Sequence, residues 1–199
     1  LSYYDLDSCL AEVKRWYDGY LFGDVGIYNP WSILKYVTDH VNSVTRFPMP
    51  YWSNTSSNSI VRELVDDADD ETRSELEILM NRGIIEKPVH EDITYGDIHT
   101  SMDNLWNFLF FTGYLKAGRQ RLEGEKLYLE MMIPNMEVKS VYDRSISTWF
   151  DRKMERTDRS PLMEALERGD CEAAEDFINE QLMDTISYYD YAESYYHGF

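Results

Sequence analysis

The stretch that decides the fold spans residues 101–138 and reads SMDNLWNFLFFTGYLKAGRQRLEGEKLYLEMMIPNMEV. Ser101 can cap a helix with an apolar face, which a glycine then ends. The alternating run 126–133, preceded by a Glu-Gly turn, predicts a β-hairpin. Pro134 and Asn135 end the hairpin, and a long helical pattern follows. The stretch therefore predicts a helix, a hairpin and a second helix in that order.

Further helices are predicted on both sides of this stretch. Apolar residues recur at helical spacing in residues 5–17, 60–65 and 161–186, the last as a helical hairpin. Asp70 can cap another helix, and the glycines among aromatic residues in 18–28 indicate a short hairpin or tight loop. The predicted fold class is mainly α with small β-hairpins (α+β).

The order of elements over residues 71–156 resembles a winged-helix module, in which a three-helix core carries a two-stranded wing. Short strands are predicted at 84–85 and 93–95 in addition to the hairpin. The helix that would read DNA, residues 101–113, contains no Arg or Lys and is strongly apolar. We therefore expect this helix to be buried and expect no nucleic acid to bind through it.

The charge balance is strongly acidic. The 199 residues contain 37 acidic and 19 basic side chains, a formal net charge of −18. Such a balance argues against a surface that grips nucleic acid or an anionic membrane, because both need clustered Lys and Arg. Residues 60–80 hold eight acidic and two basic side chains, and residues 161–199 hold ten and one. Most of the excess charge therefore lies in two predicted helical stretches.

Two interpretations of these acidic stretches are open. Solvated helix faces need charge for solubility, and this interpretation is favoured. The alternative is a docking surface for a basic protein partner, which would make the chain an acidic protein-protein interaction module. Salt should weaken such a contact.

Motifs for common chemistry are absent from the sequence. It has no G-x-x-x-x-G-K-[ST] phosphate loop, no C-x-x-C or H-E-x-x-H zinc motif and no G-x-S-x-G nucleophile elbow. No catalytic residue and no metal ligand is therefore predicted for this chain on its own. No apolar run approaches the ~18 residues of a transmembrane helix, and no membrane association is expected.

The two cysteines, Cys9 and Cys171, cannot form a disulfide framework, and a cytoplasmic location is expected. Both are interpreted as small core residues of helices. The chain begins with Leu1 rather than Met, and residues 188–199 are dense in aromatic side chains. We therefore expect it to be a piece of a longer polypeptide.

Several separated strings resemble the AAA-ATPase-like family of predicted bacterial proteins. Full-length members of that family carry an N-terminal P-loop ATPase domain and end in a predicted nuclease of the PD-(D/E)XK superfamily. The strings that carry the resemblance are WYDGY (16–20), YNPWS (28–32), YWSNTS (51–56), GYL (113–115), IPN with Glu137-Val138 (133–138) and SYYDYAESYYHGF (187–199).

The resemblance implies that the chain is the middle segment of such a protein. Residues 1–65 would be the helical, lid-like end of the ATPase region, and residues 66–158 a winged-helix-like domain. Residues 159–199 would be a helical connector leading into the nuclease-like domain. The expected partners are then the ATPase and nuclease-like domains of the same parent chain. The implied function is a non-catalytic connector that relays nucleotide state between these domains.

The resemblance also implies two site assignments in the parent. Asn29 and Pro30 would lie near a bound nucleotide, because related ATPases place a proline at a lid helix start near the adenine. A plain helix cap is the alternative, and it is favoured on local grounds. Glu193 would assist a divalent metal in the nuclease-like domain. ATP and a divalent metal are thus implied for the parent, and no cofactor is expected in this chain alone.

Overall fold

The computed structural model describes residues 2–4, 6–23, 25–42, 45, 47–52, 59–89 and 95–189. The helices are α1 (Leu10–Tyr17), α2 (Pro30–Val41), α3 (Ser59–Asp66), α4 (Asp70–Met80), α5 (Met102–Phe111), α6 (Met136–Arg156), α7 (Ser160–Arg168) and α8 (Cys171–Tyr189). The strands are β1 (Tyr20–Phe22), β2 (Val25–Ile27), β3 (Ile85–Pro88), β4 (Lys116–Glu123) and β5 (Lys126–Met132). The prediction of a mainly α fold with small β-hairpins is confirmed.

Local side-chain caps set the starts of several helices. The Ser101 hydroxyl accepts a hydrogen bond from the Asn104 amide at 3.2 Å, and the Asn135 side chain accepts one from the Val138 amide at 3.0 Å. The start of α4 differs by one residue from the prediction: Asp69, not Asp70, is the cap. Asp69 can do this because its backbone is extended there, whereas Asp70 is already helical.

The predicted hairpin forms part of a three-stranded antiparallel sheet with the strand order β3-β5-β4. Glu123 pairs with Lys126 across a two-residue turn, in which Gly124 has a φ of 62°. Glycine adopts this left-handed backbone without a steric cost. Two helices, one strand, a 3-10 helix, a further helix and the hairpin follow one another from α3 to β5, and the winged-helix interpretation stays a prediction.

The predicted strand at 93–95 lies mostly outside the described residues. Within them, Tyr95 begins a 3-10 helix that runs to Thr100. The predicted C-terminal helical hairpin is confirmed as α7 and α8, joined through Gly169 in the left-handed conformation. None of the helices in the described ranges has both the length and the apolarity needed to cross a membrane.

Two buried clusters hold the fold together. The larger one lies between α3, α4, α5, α6 and the sheet. Its largest fully buried side chains are Leu64, Leu76, Leu79, Ile98, Trp106, Leu109, Leu115, Met131 and Tyr142. Helix α3 packs into this cluster, although the sequence analysis grouped residues 60–65 with the first segment.

The smaller cluster is built on Tyr17, with Tyr36 and Tyr51 around it at ring-centroid distances of 5.9 and 6.1 Å. The Tyr17 hydroxyl donates to the carbonyl oxygen of Met49 and accepts from its amide, at 3.0 and 2.9 Å. Met49, in the loop after α2, therefore satisfies both the donor and the acceptor capacity of the buried Tyr17 hydroxyl group.

Candidate functional site

A buried carboxylate lies where three distant segments of the chain meet. Glu137 belongs to the first turn of α6 and has no exposed surface. The Ser32 hydroxyl, from α2, lies 2.8 Å from Oε1 and 2.7 Å from Oε2 of Glu137. The backbone amide of Trp52 donates to Oε1 at 2.8 Å. We call Ser32, Trp52 and Glu137 the Glu137 junction.

Burial is the main influence on the Glu137 carboxyl group. It raises the pKa of Glu137 above its ordinary value, because an ion loses its hydration in the interior. The hydrogen bonds from the Trp52 amide and the Ser32 hydroxyl oppose that shift by stabilising the ionised form. The N-terminal end of α6 also favours a negative charge. A carboxylate without exposed surface cannot reach a substrate. The Glu137 carboxylate instead holds three segments of the chain together through its hydrogen bonds.

Two residues of the loop after α1 and two residues just before α6 contact each other beside the Glu137 junction. The Asn135 side-chain amide donates to the carbonyl oxygen of Asp18 at 2.9 Å. Gly19 has a φ of 118°, and a Cβ atom added there would collide with the carbonyl oxygen of Pro134. This backbone approach requires glycine, so the loop after α1 is fixed against the start of α6.

Aromatic side chains connect the same region to the end of α5. The Tyr20 hydroxyl donates to the carbonyl oxygen of Gly113 at 3.1 Å. The Trp52 ring packs on the Tyr114 ring with 4.7 Å between centroids. Five of the six strings quoted for the family resemblance therefore meet in this region through their described residues; the string at 187–199 is not among them. This convergence was not predicted from the sequence.

Asn29 and Pro30 lie at the start of α2, three residues or fewer before Ser32. The Asn29 side chain accepts from the amides of Trp31 and Ser32 at 3.1 and 3.4 Å. Pro30 occupies the first turn and is exposed. The predicted helix cap is confirmed, and the nucleotide contact of these residues stays a prediction.

Glu193, the residue that the resemblance assigns to a metal in the parent, lies outside the described residues. Among the residues that the structure describes, no group of three or more His, Cys, Asp or Glu side chains could hold a metal ion. His40 packs against the Tyr36 ring at 5.6 Å between centroids.

The two cysteines differ in their surroundings. Cys9 is partly buried beside the smaller cluster, in line with its interpretation as a core residue. Cys171 is exposed, so the same interpretation was wrong for it. It begins α8 next to the connecting turn, and the first residue of α8 to be buried is Ala174, almost one turn later.

Helix α5, at the position of a DNA-reading helix, points its apolar residues into the larger cluster. Trp106 and Leu109 are fully buried. In the β4–β5 hairpin, the Arg121 guanidinium contacts two carboxylates, with Glu86 at 2.8 Å and Glu123 at 2.6 Å. The prediction that α5 is a buried helix is confirmed.

The carboxylates of the C-terminal hairpin are exposed as far as their side chains are described. They are Glu164, Glu167, Asp170, Glu172, Glu175, Asp176 and Glu180. A solvated helix face and a docking surface for a basic partner both require this exposure, so it favours neither interpretation.

No protein-family model matches this chain. No curated protein and no solved structure is significantly similar to it either. The family resemblance therefore stays a prediction that rests on the quoted strings.

Proposed function

We propose that this chain is a non-catalytic connector between a P-loop ATPase domain and a PD-(D/E)XK nuclease-like domain of one parent protein. In this role it relays nucleotide state from the ATPase side to the nuclease side. The parent would use ATP and a divalent metal, and it would work in the cytoplasm. The observation that carries the proposal is the Glu137 junction.

The Glu137 junction supports a relay because it ties two helices together through a charge that cannot easily lose its partners. Ser32 lies in the first turn of α2, directly after the proposed nucleotide contacts Asn29 and Pro30. Glu137 lies in the first turn of α6. Moving one helix without the other would leave a buried carboxylate short of a hydrogen bond, which is costly. The two helix starts should therefore move together.

Helix α6 supplies the length that a relay needs. Its 21 residues span about 30 Å at 1.5 Å per residue. The N-terminal end carries the Glu137 junction, and the C-terminal end leads into the α7–α8 hairpin. A displacement at α2 can therefore reach the C-terminal hairpin through one continuous helix.

An exposed apolar surface near the N-terminus supports docking to the ATPase side. Among the described residues, twelve of the eighteen large exposed apolar side chains lie between residues 3 and 49. Strands β1 and β2 form an isolated two-stranded sheet, from which Leu21, Phe22 and Val25 project into solvent. Such a hairpin is only marginally stable without a covering layer. We assign that layer to the ATPase domain of the parent chain.

The proposal is tested on the protein translated from the whole gene. Adding ATP should change hydrogen exchange in α6 and the α7–α8 hairpin, and the Glu137→Gln variant should bind ATP equally well without that change. Ser147→Ala, an exposed position of α6, is the matched control and should behave as wild type. ATP hydrolysis or metal-dependent DNA cleavage by the purified 199-residue chain would contradict the proposal.

A further inference from the structure

A basic cavity of about 210 Å³ lies at the start of α6. Four elements contribute its cations: α1, the turn after α4, strand β4 and helix α6. These cations are Arg15, Arg82, Lys116 and Lys139. The remaining wall is mostly apolar and includes Leu79, Met132, Ile133, Pro134 and Met136.

The lining of this cavity is positively charged, whereas the chain as a whole is negatively charged. No acidic residue lines it, although the chain carries a net charge of −18. Arg15, Arg82 and Lys116 have no ion-pair partner among the described residues. Lys139 pairs with the Asp143 carboxylate at 3.3 Å. The three cations without a carboxylate partner among the described residues repel one another, and an anionic ligand would remove that repulsion.

A second basic cavity is partly neutralised by carboxylates. It lies around Trp149 and is lined by Arg73, Arg152, Lys153 and Arg156 together with Asp66. The Arg152 guanidinium lies 2.7 Å from the Asp66 carboxylate, and the Arg73 guanidinium lies 3.5 Å from the Asp70 carboxylate. At least two of its four cations therefore have carboxylate partners, against one of the four cations in the cavity at the start of α6, which is the stronger candidate.

The start of α6 also lines the first cavity, although the Glu137 carboxylate in the same turn offsets part of its dipole. Asn135 and Met136 line it at the N-terminal end of α6, a helix of 21 residues. The N-terminus of a helix carries a partial positive charge and attracts anions. Arg82 lines the cavity as well, with a φ of 63°, and it is the one residue other than glycine with a positive φ in the described ranges.

We propose that this cavity binds the phosphate group of a compact phosphate monoester. A phosphate dianion has enough charge and acceptor oxygens for several cations, whereas one carboxylate would leave most of them uncompensated. The apolar wall suits a small apolar body attached to the phosphate. A volume of about 210 Å³ is below that of most pockets for larger ligands, so the site suits a monoester and not a whole nucleotide. The inference is independent of the connector role.

Calorimetric titration of the 199-residue chain tests the proposal, with sodium chloride holding the ionic strength constant. Three probes are compared: inorganic phosphate, phenyl phosphate and benzoate. We expect saturable binding of both phosphates, with phenyl phosphate the tighter because its ring reaches the apolar wall. Benzoate shares the ring but carries a single charge, and we expect it to bind at least about tenfold more weakly.

Single-charge variants locate the site. Arg82→Gln and Lys116→Gln should each weaken phenyl phosphate binding about tenfold. Arg119→Gln is the matched control, since Arg119 lies on the same strand as Lys116, is exposed and does not line the cavity. It should bind as wild type. If Arg82→Gln does not fold, the affinity of Lys116→Gln for phenyl phosphate is the test of the site.

Three outcomes would overturn the proposal. The first is no saturable binding of either phosphate. The second is an equal loss of affinity in Arg119→Gln, which would mean attraction to net charge and not to the cavity. The third is benzoate binding as tightly as phenyl phosphate, which would make the site a carboxylate site.

Discussion

The hydroxyl group of Ser32 lies within 2.8 Å of both carboxylate oxygens of Glu137, although 105 residues separate the two in sequence. Neither residue has exposed surface. The start of α2 and the start of α6 are therefore joined by a polar contact that water does not reach. A contact of this kind is costly to break, because the partner left behind is a buried ion.

Removing the Ser32 hydroxyl should weaken the fold measurably. Ser32→Ala takes one charge-assisted hydrogen bond from Glu137, and we expect the free energy of unfolding to fall by about 1.5–3 kcal/mol. Urea unfolding at pH 7 followed by circular dichroism measures this change. Ser147→Ala, on the exposed face of α6, is the control and should stay within about 0.5 kcal/mol of wild type. Equal effects of the two substitutions would show that the junction contributes nothing special.

Glu137 should make stability depend on pH in a characteristic direction. Burial raises its pKa in the folded protein above the ordinary value, so the folded state binds the proton more tightly than the unfolded chain does. The stability that protonation of Glu137 contributes to the folded state is complete below the pKa of this residue in the unfolded chain. It is lost as the pH rises through the pKa of this residue in the folded protein. The stability of wild type relative to Glu137→Gln should therefore decrease as the pH rises from about 4.5, and then level off. Urea unfolding of both proteins at half-unit pH intervals gives this difference.

Glu86→Gln is the control for that pH series because its shift has the opposite sign. A hydrogen bond from Arg121 lowers the pKa of Glu86 below its ordinary value. The stability that this bond contributes is present above the unfolded pKa and is lost as the pH falls through the folded pKa. The difference between wild type and Glu86→Gln should therefore be constant above about pH 5.5. A Glu137→Gln difference that does not fall at all as the pH rises from about 4 would contradict the predicted shift.

A single methyl group at Gly19 should disrupt the loop that packs against α6. Alanine would need a φ of 118° there, and its Cβ would meet the carbonyl oxygen of Pro134. We expect Gly19→Ala to cost at least about 3 kcal/mol. Gly124→Ala separates the two causes, because Gly124 also has a positive φ but open space around it. It should cost only about 1 kcal/mol, the backbone part of the penalty. Similar unfolding midpoints for the two variants would rule out a steric role for Pro134.

Features that depend on near neighbours were predictable from the sequence. The caps at Asn29 and Ser101 involve side chains that bond amides two or three residues away. The β4–β5 hairpin was predicted from the alternation of apolar and polar residues over a short run and from the glycine in its turn. Local rules place such elements because their partners are fixed by the helix or strand itself. The error of one residue at Asp69 reflects two adjacent acids that are both good caps.

The Glu137 junction could not be predicted in the same way. A glutamate in the first turn of a helix usually faces solvent, where the helix dipole favours it. Nothing in the local pattern distinguishes Glu137 from the other acidic residues, and its burial depends on Ser32 and Trp52 being brought to it by the tertiary fold. The one sequence signal was indirect: the three residues lie in or beside strings that carry the family resemblance. The cations of the basic cavity come from four separate elements and left no local pattern either.

The exposed hairpin should bind apolar probes more strongly than other exposed apolar residues do. Phe22 is 80% exposed at the end of β1, and Leu122 is 70% exposed in β4. Around Phe22, Leu21 and Val25 are also exposed, whereas Leu122 is flanked by Arg121 and Glu123. We expect Phe22→Ser to lower the fluorescence of bound anilinonaphthalene sulfonate at least twofold, and Leu122→Ser to leave it nearly unchanged, because a contiguous apolar surface binds this dye better than an isolated side chain. Both variants should keep the wild-type circular dichroism spectrum. Equal losses in the two variants would mean that residues 20–27 do not form the covered face that the connector role requires.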